Sequence, residues 1–258
     1  MIHSILKDRP TKLFLGFSAF FVANALIAES IGTKLFSLEK LFGQHPVNFT
    51  FFGQSGMSFV LTCGVLLWPL EFVMTDIVNE YYGPRAVRRI SITTIIIISY
   101  AFLIYYLSIG IPPADVWIQS SSTQGVENIQ QSYNAIFGQN MRIIIGSLIA
   151  FFVSQMVDVT VFHKIKRITG EKYMWLRATG STLVSQLVDS YIVLFIAFLG
   201  VFKWQLILAI GMMNYIYKFI MAIILTPLIY FVEGRIEKYV GHDNAKKMKL
   251  AAMGKENE

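Results

Sequence analysis

Residues 143–162, IIIGSLIAFFVSQMVDVTVF, indicate the class of fold to which this chain belongs. Twenty residues with a single charged side chain match a bilayer hydrocarbon core about 30 Å thick when they form a helix. The stretch contains the motif SQMVD at 154–158, which returns as SQLVD at 185–189 in another apolar stretch. Hydrocarbon offers amides and carboxylates no partner. Gln and Asp at i and i+3 share one helix face, so we expect the two faces to form a polar pocket.

Composition supports an integral membrane protein, because 55% of the residues are hydrophobic and the mean hydropathy is +0.56. We predict an all-α, polytopic membrane protein with one membrane domain over residues 1–258. No Gly-rich loop followed by Lys-Ser or Lys-Thr occurs, so any ATP would be hydrolysed by another protein. No cofactor or metal site is predicted. Six transmembrane spans are predicted, at residues 13–36, 57–82, 90–111, 143–162, 176–202 and 204–232.

The distribution of basic residues predicts the orientation of these spans. The N-terminus, the second and fourth connections and the tail hold seventeen Lys and Arg residues, against four in the other connections, when Arg177, Lys34 and Arg142 at span edges are counted with the adjoining connections. Positive charge marks the cytoplasmic side, so both termini are predicted to be cytoplasmic and the localisation to be the cell inner membrane. The net charge of +6 reflects this asymmetry, and no nucleic-acid partner is expected. The tail at 233–258 is expected to be a frayed amphipathic end near anionic lipid.

The outer connection at 112–140 contains apolar residues at helical spacing from Val126 to Phe137. This pattern predicts a short amphipathic helix on the membrane surface or over the bundle. A surface helix and a lid over a substrate entrance both remain open as interpretations.

Polar residues inside the spans are the candidates for a binding site, because intramembrane ionisable groups are costly to insert. Counted from the cytoplasmic ends, several of them lie at a similar depth of roughly 15 to 21 Å, near mid-membrane. Nearby aromatic residues are candidates for stacking on a flat ligand. The predicted substrate-binding residues are Asn24, Trp68, Glu71, Asp76, Gln155, Asp158, Gln186, Asp189 and Lys218.

Two ion pairs and one kink are also predicted. Asp189 and Lys218 lie at equal depth on consecutive spans joined by a short turn, so they are expected to pair. Glu80 lies close to the cytoplasmic arginines and is expected to pair with one of Arg85, Arg88 or Arg89. Pro69 is expected to kink the second span beside Glu71.

In its ordered motifs the chain resembles the queuosine precursor transporter family, once called the vitamin uptake transporter family. The second-span motifs are WPLEF at 68–72, TD at 75–76, EYYG at 80–83 and RR at 88–89. The later motifs are SQ at 154–155 with Asp158, FH at 162–163, WLR at 175–177, ST at 181–182, and SQ at 185–186 with Asp189. The resemblance covers about residues 13–232, and several ordered motifs in one topology make it specific.

This resemblance implies a function and a fold. The function is import of 7-cyano-7-deazaguanine or 7-aminomethyl-7-deazaguanine, precursors of the tRNA nucleoside queuosine, for salvage. The fold is a six-helix bundle similar to the substrate-binding components of energy-coupling-factor transporters. A guanine-like edge presents adjacent donors beside a carbonyl, which a carboxylate and an amide can satisfy.

Two other classes of function stay open on the residues alone. The chain could be a substrate-binding subunit for a vitamin or another flat heterocycle that works with an ATP-driven partner. An intramembrane enzyme would use Asp158 and His163, but an i, i+5 spacing points the two side chains roughly 140° apart on a helix. We therefore predict that the chain is not an enzyme. The expected partners are a small 7-deazaguanine and the lipid bilayer, while a homodimer or an energising partner stays open.

Overall fold

The computed structural model describes residues 8–120, 125–138, 141–170 and 172–253, and helices dominate these ranges. Part of the outer polar tract, at 121–124, lies outside them. Two small antiparallel sheets of two strands accompany the helices, so the predicted all-α class holds apart from these short strands. The helices are α1 (Arg9–Ile31), α2 (Leu38–Leu41), α3 (Trp68–Ile109), α4 (Asp115–Ile118), α5 (Ile129–Phe137), α6 (Met141–Thr169), α7 (Met174–Phe198), α8 (Trp204–Ile224), α9 (Thr226–Val240) and α10 (His242–Ala252). The strands are β1 (Leu35–Ser37), β2 (Phe49–Phe51), β3 (Gln54–Met57) and β4 (Val60–Thr62).

Several helices are long and apolar enough to cross a membrane. Within the described ranges there are five such stretches, one of which includes both α5 and α6. Their length and composition identify a multi-pass membrane protein. They are Arg9–Ile31, Trp68–Ile109, Ile129–Thr169, Met174–Phe198 and Trp204–Ile224.

The 42-residue element α3 consists of two helical arms that form a hairpin. The chain reverses between them at Gly83, where φ is 77° and ψ is 179°. In its first arm, residues 68–82, Tyr82 bonds the carbonyl of Pro10 near the start of α1, and Glu71 bonds Asn24 further along it. The first arm therefore runs antiparallel to α1.

The second arm, residues 84–109, follows α1 in the same direction. Ile98 packs in one cluster with Ala25, and the hydroxyls of Tyr105 and Ser30 lie 3.4 Å apart near the end of α1. Because one arm is antiparallel and the other parallel to α1, the chain turns back at Gly83. Only glycine readily adopts this combination of positive φ and extended ψ.

Short strands replace the ends of two predicted spans. The predicted second span begins at residue 57, whereas the helix begins at Trp68 after β3, β4 and a 3₁₀ turn at Cys63–Leu66. The predicted first span extends to residue 36, whereas α1 ends at Ile31 and β1 pairs with β4, Leu35 opposite Thr62. Glycines with positive φ at 53 and 56 interrupt helical continuity in this segment.

The C-terminal third also differs from expectation. The predicted last span at 204–232 divides into α8 and α9 at Leu225, and Pro227 lies in the first turn of α9. Proline has no N–H for the preceding turn, so a helix beginning there is favoured. The tail is a docked helix, since Ala245 of α10 is buried against the bundle. The expectation of a frayed end is therefore wrong.

The outer connection forms the predicted short helix, α5. It packs over the end of the α3 hairpin, where the hydroxyls of Tyr133 and Ser108 lie 2.8 Å apart. The rings of Tyr105 and Phe137 pack nearby at a tilt of 51°, with their centroids 4.9 Å apart. The helix thus contacts the end of α3 and has no buried residue of its own, so the structure does not distinguish the two predicted placements.

Candidate functional site

The repeated motifs face each other across α6 and α7. Ser154 of the first copy donates to Asp189 of the second at 3.4 Å, and Ser185 of the second donates to Asp158 of the first at 3.1 Å. The partner on α7 moves back by four residues as the residue on α6 moves forward by four. The two helices therefore run antiparallel. Close approach is possible because Gly146 lies against Ile196, where a Cβ would come within 3.2 Å.

The first arm of α3 lies beside this pair and contributes further polar side chains. Thr75 and Gln155 share a hydrogen bond of 3.3 to 3.4 Å. Asp76 is buried and interacts electrostatically with Asp158. We call the group formed by Glu71, Asp76 and Asp158, with Gln155 and Gln186, the carboxylate cluster.

Glu71 lies one helical turn before Thr75, whose hydroxyl donates to the Glu71 carbonyl, and the Glu71 side chain is held by α1. Its Oε2 accepts a hydrogen bond of 2.8 Å from Asn24 Nδ2, which also contacts the carbonyl of Leu67 at 3.1 Å. Pro69, two residues before Glu71, stands in the first turn of α3 and not in its interior. The expected kink at Pro69 is therefore wrong, because the proline begins the helix.

The carboxylate cluster has an excess of hydrogen-bond acceptors. Within the cluster, four buried acceptor atoms have no hydrogen-bond partner, one in each of four residues; the other buried side-chain atoms without a partner in the described part of the chain are Asn79 Nδ2 and the hydroxyls of Tyr81 and Ser190. Buried polar atoms are normally paired, so such a group is unusual and points to a donor-rich ligand. The atoms are Glu71 Oε1, Asp76 Oδ1, Asp158 Oδ2 and Gln186 Oε1.

Asp189 makes the predicted pair with Lys218. Its Oδ2 lies 2.5 Å from Lys218 Nζ, with side chains 22% and 14% exposed. Glu29, which accepts a hydrogen bond from Ser147, interacts electrostatically with Asp189. Asp189 and Asp158 therefore have different partners, although they occupy equivalent positions in the two motifs.

Glu80 forms a buried ion cluster with partners other than those predicted. Its carboxylate lies 3.0 Å from Lys166 Nζ and accepts hydrogen bonds of 2.8 and 3.0 Å from Arg177. All three side chains are at most 1% exposed. The predicted pairing with the arginines at 85, 88 and 89 is wrong, because these residues are exposed at the turn.

Asp158 and His163, the pair that an intramembrane enzyme would need, have separate partners. Asp158 bonds Ser185, whereas His163 Nε2 lies 2.8 Å from Asn79 Oδ1. No group of three His, Cys, Asp or Glu residues suited to a metal occurs among the described residues.

The aromatic residues take different positions from one another. Trp68 packs against Phe151, with ring centroids 5.9 Å apart, inside a hydrophobic cluster. Phe72 and Thr182 line a narrow crevice of about 10 Å³ that extends to Asp76. Phe72 is thus the aromatic side chain beside the carboxylates.

An apolar groove of about 580 Å³ lies between α1, the first arm of α3 and α9. Gly16, Leu70 and Leu228 are among its lining residues, and Lys12 and Tyr239 also line it. It does not include the carboxylate cluster, which occupies other positions of the first arm. The cluster therefore has little free space in this conformation.

Comparison with known proteins identifies the family. The sequence profile described as "Putative vitamin uptake transporter" matches residues 62–232. A "Probable queuosine precursor transporter" of Bacillus subtilis (strain 168) is 34% identical over 173 residues, 66% of this chain and 70% of that protein. The chain belongs to the queuosine precursor transporter family, also called the vitamin uptake transporter family.

Two further relatives carry similar names. A "Probable queuosine precursor transporter" of Haemophilus influenzae is 28% identical over 68% of this chain and 69% of its own length. A "Queuosine precursor transporter" of Escherichia coli (strain K12) is 26% identical over 68% of this chain and 74% of its own length. No solved structure shows a significant match.

Within this queuosine precursor transporter family member, the matched range contains the α3 hairpin, α6 and α7, and so every residue of the carboxylate cluster. Asn24 and α10 lie outside it. Sequence reasoning missed Ser154, Ser185 and Arg177 as functional partners, although all three are part of motifs that it quoted. It also missed Thr75, which its own TD motif contains. The position of each serine one residue before the Gln of its motif was the available signal.

Proposed function

We propose that this protein imports the queuosine precursors 7-cyano-7-deazaguanine, 7-aminomethyl-7-deazaguanine or both across the cell inner membrane, for salvage into tRNA queuosine. The names of the three relatives support a substrate of this kind. The family supports transport and not catalysis, so we assign no cofactor and no reaction.

The observation that carries this proposal is the set of unpaired acceptors in the carboxylate cluster. The guanine-like edge of a 7-deazaguanine has a ring N–H beside an exocyclic amine, and one carboxylate can accept both in parallel. A glutamine amide, such as that of Gln155 or Gln186, suits the adjacent carbonyl. Phe72 offers a face for the planar ring, a contact worth about 1 to 3 kcal/mol by analogy with base stacking.

We propose that all nine predicted residues take part in substrate binding or in arranging the site. Asp76, Asp158, Gln155 and Gln186 would contact the substrate, and Asn24 would orient Glu71 through its 2.8 Å hydrogen bond. Asp189 and Lys218 would form an adjoining charged layer. Trp68 would act through packing on Phe151.

We further propose six membrane crossings with both termini in the cytoplasm. The α3 hairpin supplies two crossings, and its turn at Gly83 is followed by three arginines, which favours the cytoplasmic side. The first arm has 15 residues, about 22 Å of helix, so the 3₁₀ turn at Cys63–Leu66 would complete that crossing. Similarity to the substrate-binding components of energy-coupling-factor transporters remains part of this proposal.

A second candidate function is a substrate-binding subunit for a vitamin or another flat heterocycle, driven by an ATP-hydrolysing partner. The open apolar groove beside Gly16 favours it, because a partner helix would cover such a surface. Homodimerisation would cover the same groove.

Uptake of labelled substrate by purified protein in lipid vesicles tests both candidates. We expect accumulation of a labelled 7-deazaguanine without ATP or a partner protein, measured with and without a proton gradient. Asp158→Asn should lower affinity at least about tenfold, because the variant loses a charge-assisted acceptor worth about 1.5 kcal/mol or more. Thr160→Ala is the matched control, since Thr160 is exposed on the same helix. Binding without any uptake would instead favour the partner-driven subunit.

A further inference from the structure

The carboxylates of the cluster differ from those of Glu80 and Asp189, each of which pairs directly with a basic side chain. Glu71, Asp76 and Asp158 have no Lys or Arg within 4.0 Å in the ranges that the structure describes. Three buried carboxylates without a cation are energetically unfavourable in a membrane-spanning bundle. The cluster therefore needs either protons or a cation from outside the chain.

The buried cations close to this cluster are already engaged. Lys166 and Arg177 both bind the carboxylate of Glu80. Arg177 also donates to the carbonyls of Gly170 and Lys172, and Lys166 donates to the carbonyl of Glu80. Arg177 therefore reaches Asp76 only as a favourable charge at longer range, and neither Lys166 nor Arg177 pairs directly with Asp76 or Asp158.

Asp76 and Asp158 act on each other as like charges. They are 2% and 5% exposed, and each has one oxygen without a hydrogen bond. Asp76 also lines the crevice beside Phe72 and Thr182. A group that offers both a positive charge and several N–H donors would satisfy the two carboxylates together.

We propose that this site selects a planar heterocycle that carries a protonated amine, with the ammonium group held by Asp76 and Asp158. The inference rests on the proposed function and narrows its substrate to 7-aminomethyl-7-deazaguanine in preference to 7-cyano-7-deazaguanine. The aminomethyl group supplies three N–H donors and a positive charge at neutral pH. The cyano group supplies only an acceptor, which would face carboxylate oxygens that are themselves acceptors.

The other motif aspartate does not have this role. Asp189 is neutralised by Lys218 at 2.5 Å, so it has no need of a cationic ligand. The two copies of the motif thus differ in charge balance, although Ser, Gln, Val and Asp recur in both.

Equilibrium binding to the purified full-length protein tests the selection. The ligands are the 7-aminomethyl, 7-hydroxymethyl and 7-cyano forms of 7-deazaguanine at pH 7, and the hydroxymethyl form is a neutral match in size. We expect the aminomethyl form to bind at least tenfold more tightly than either neutral form. Equal affinity for the aminomethyl and hydroxymethyl forms would overturn the inference and leave the proposed function standing. No binding of any of the three would count against the proposed function itself.

Variants assign the preference to the two carboxylates. Asp76→Asn and Asp158→Asn should each reduce the ratio of aminomethyl to hydroxymethyl affinity about tenfold, whereas Asp76→Glu and the control Thr160→Ala should keep it. A uniform loss for all ligands would show a structural role and contradict the assignment. If either Asn variant fails to fold, the ligand comparison on the unsubstituted protein still decides the question.

Discussion

Ser185 donates a hydrogen bond of 3.1 Å to Asp158, and the equivalent Ser154 donates to Asp189 at 3.4 Å. Each serine therefore serves the carboxylate of the other motif. The repeat joins α6 to α7 and at the same time orients two aspartates. Asp189 also forms an ion pair with Lys218, whereas Asp158 lies near the like charge of Asp76.

The pair of Asp189 and Lys218 should show energetic coupling. Lys218→Met leaves an uncompensated carboxylate, a loss of about 3 to 5 kcal/mol for a fully buried pair and less here, since both side chains are partly exposed. Lys218→Met should lower folded yield, and adding Asp189→Asn should recover the yield without recovering uptake. Thermal unfolding in detergent and vesicle uptake measure the two effects. A double variant no more stable than Lys218→Met would show that the side chains are not coupled.

Glu80 should be essential for stability. Glu80→Gln would leave two buried cations, Lys166 and Arg177, without their shared anion, and we expect a loss of about 3 to 5 kcal/mol in the free energy of unfolding. Arg88→Gln is the control, because Arg88 is exposed at the hairpin turn. Thermal unfolding of both variants would contradict the assignment if Glu80→Gln were as stable as the control.

Gly83 should not tolerate a side chain. Its backbone conformation is essentially restricted to glycine. Another residue would destabilise the fold by about 1 to 3 kcal/mol through backbone strain. A Cβ would also approach the carbonyl oxygen of Ala252 at 3.2 Å. Gly83→Ala should therefore lower the unfolding temperature, whereas Gly234→Ala, in open space within α9, should leave it unchanged or raise it. Equal effects of the two variants would argue against the hairpin geometry.

Lys249 should hold α10 against the bundle. Its Nζ contacts Glu233 at 2.6 Å and Glu237 at 2.8 Å, and it lies over the ring of Tyr81. Burial by itself lowers the pKa of Lys249, but the hydrogen bonds to both glutamates outweigh this effect and raise the pKa above its ordinary value.

Because the pKa of Lys249 is higher in the folded state, its contribution is fully present below the unfolded pKa and is lost only as pH rises through the folded one. Proteolytic protection of α10 should therefore stay constant from neutral pH to pH 9. Lys249→Met should make α10 sensitive to protease at neutral pH, whereas Lys246→Met, on the exposed face, should not. Equal protection of the two variants would exclude this role.

The topology predicts which ends of the helices share a side of the membrane. Reporter fusions after Ile111 and after Ala252 should report opposite sides, because an odd number of crossings separates them. A fusion after Arg85, at the hairpin turn, should match the fusion after Ala252. Matching sides for the Ile111 and Ala252 fusions would contradict the proposed six crossings.

The pairing of Asp189 with Lys218 and the short helix α5 could be predicted from sequence, while the pairing of Glu80 could not. Depth along a helix follows from counting residues, so two charges at equal depth on consecutive spans are good candidates for a pair. Glu80 has basic residues near it along the chain and others on α6 and α7. Proximity in sequence favoured the arginines after the turn, whereas helix rotation directs the side chain toward Lys166 and Arg177.

The sequence by itself determined that this chain is a helical membrane protein with polar residues inside its apolar segments, since hydrocarbon imposes a requirement on each segment separately. Tertiary structure alone decided the reciprocal bonds of Ser154 and Ser185, the reversal at Gly83 and the docking of α10. These features depend on the rotation and axial register of packed helices, which many small contacts set together. The same register places Asp158 near Asp76, with no Lys or Arg within 4.0 Å of either carboxylate among the described residues, whereas Asp189 pairs with Lys218.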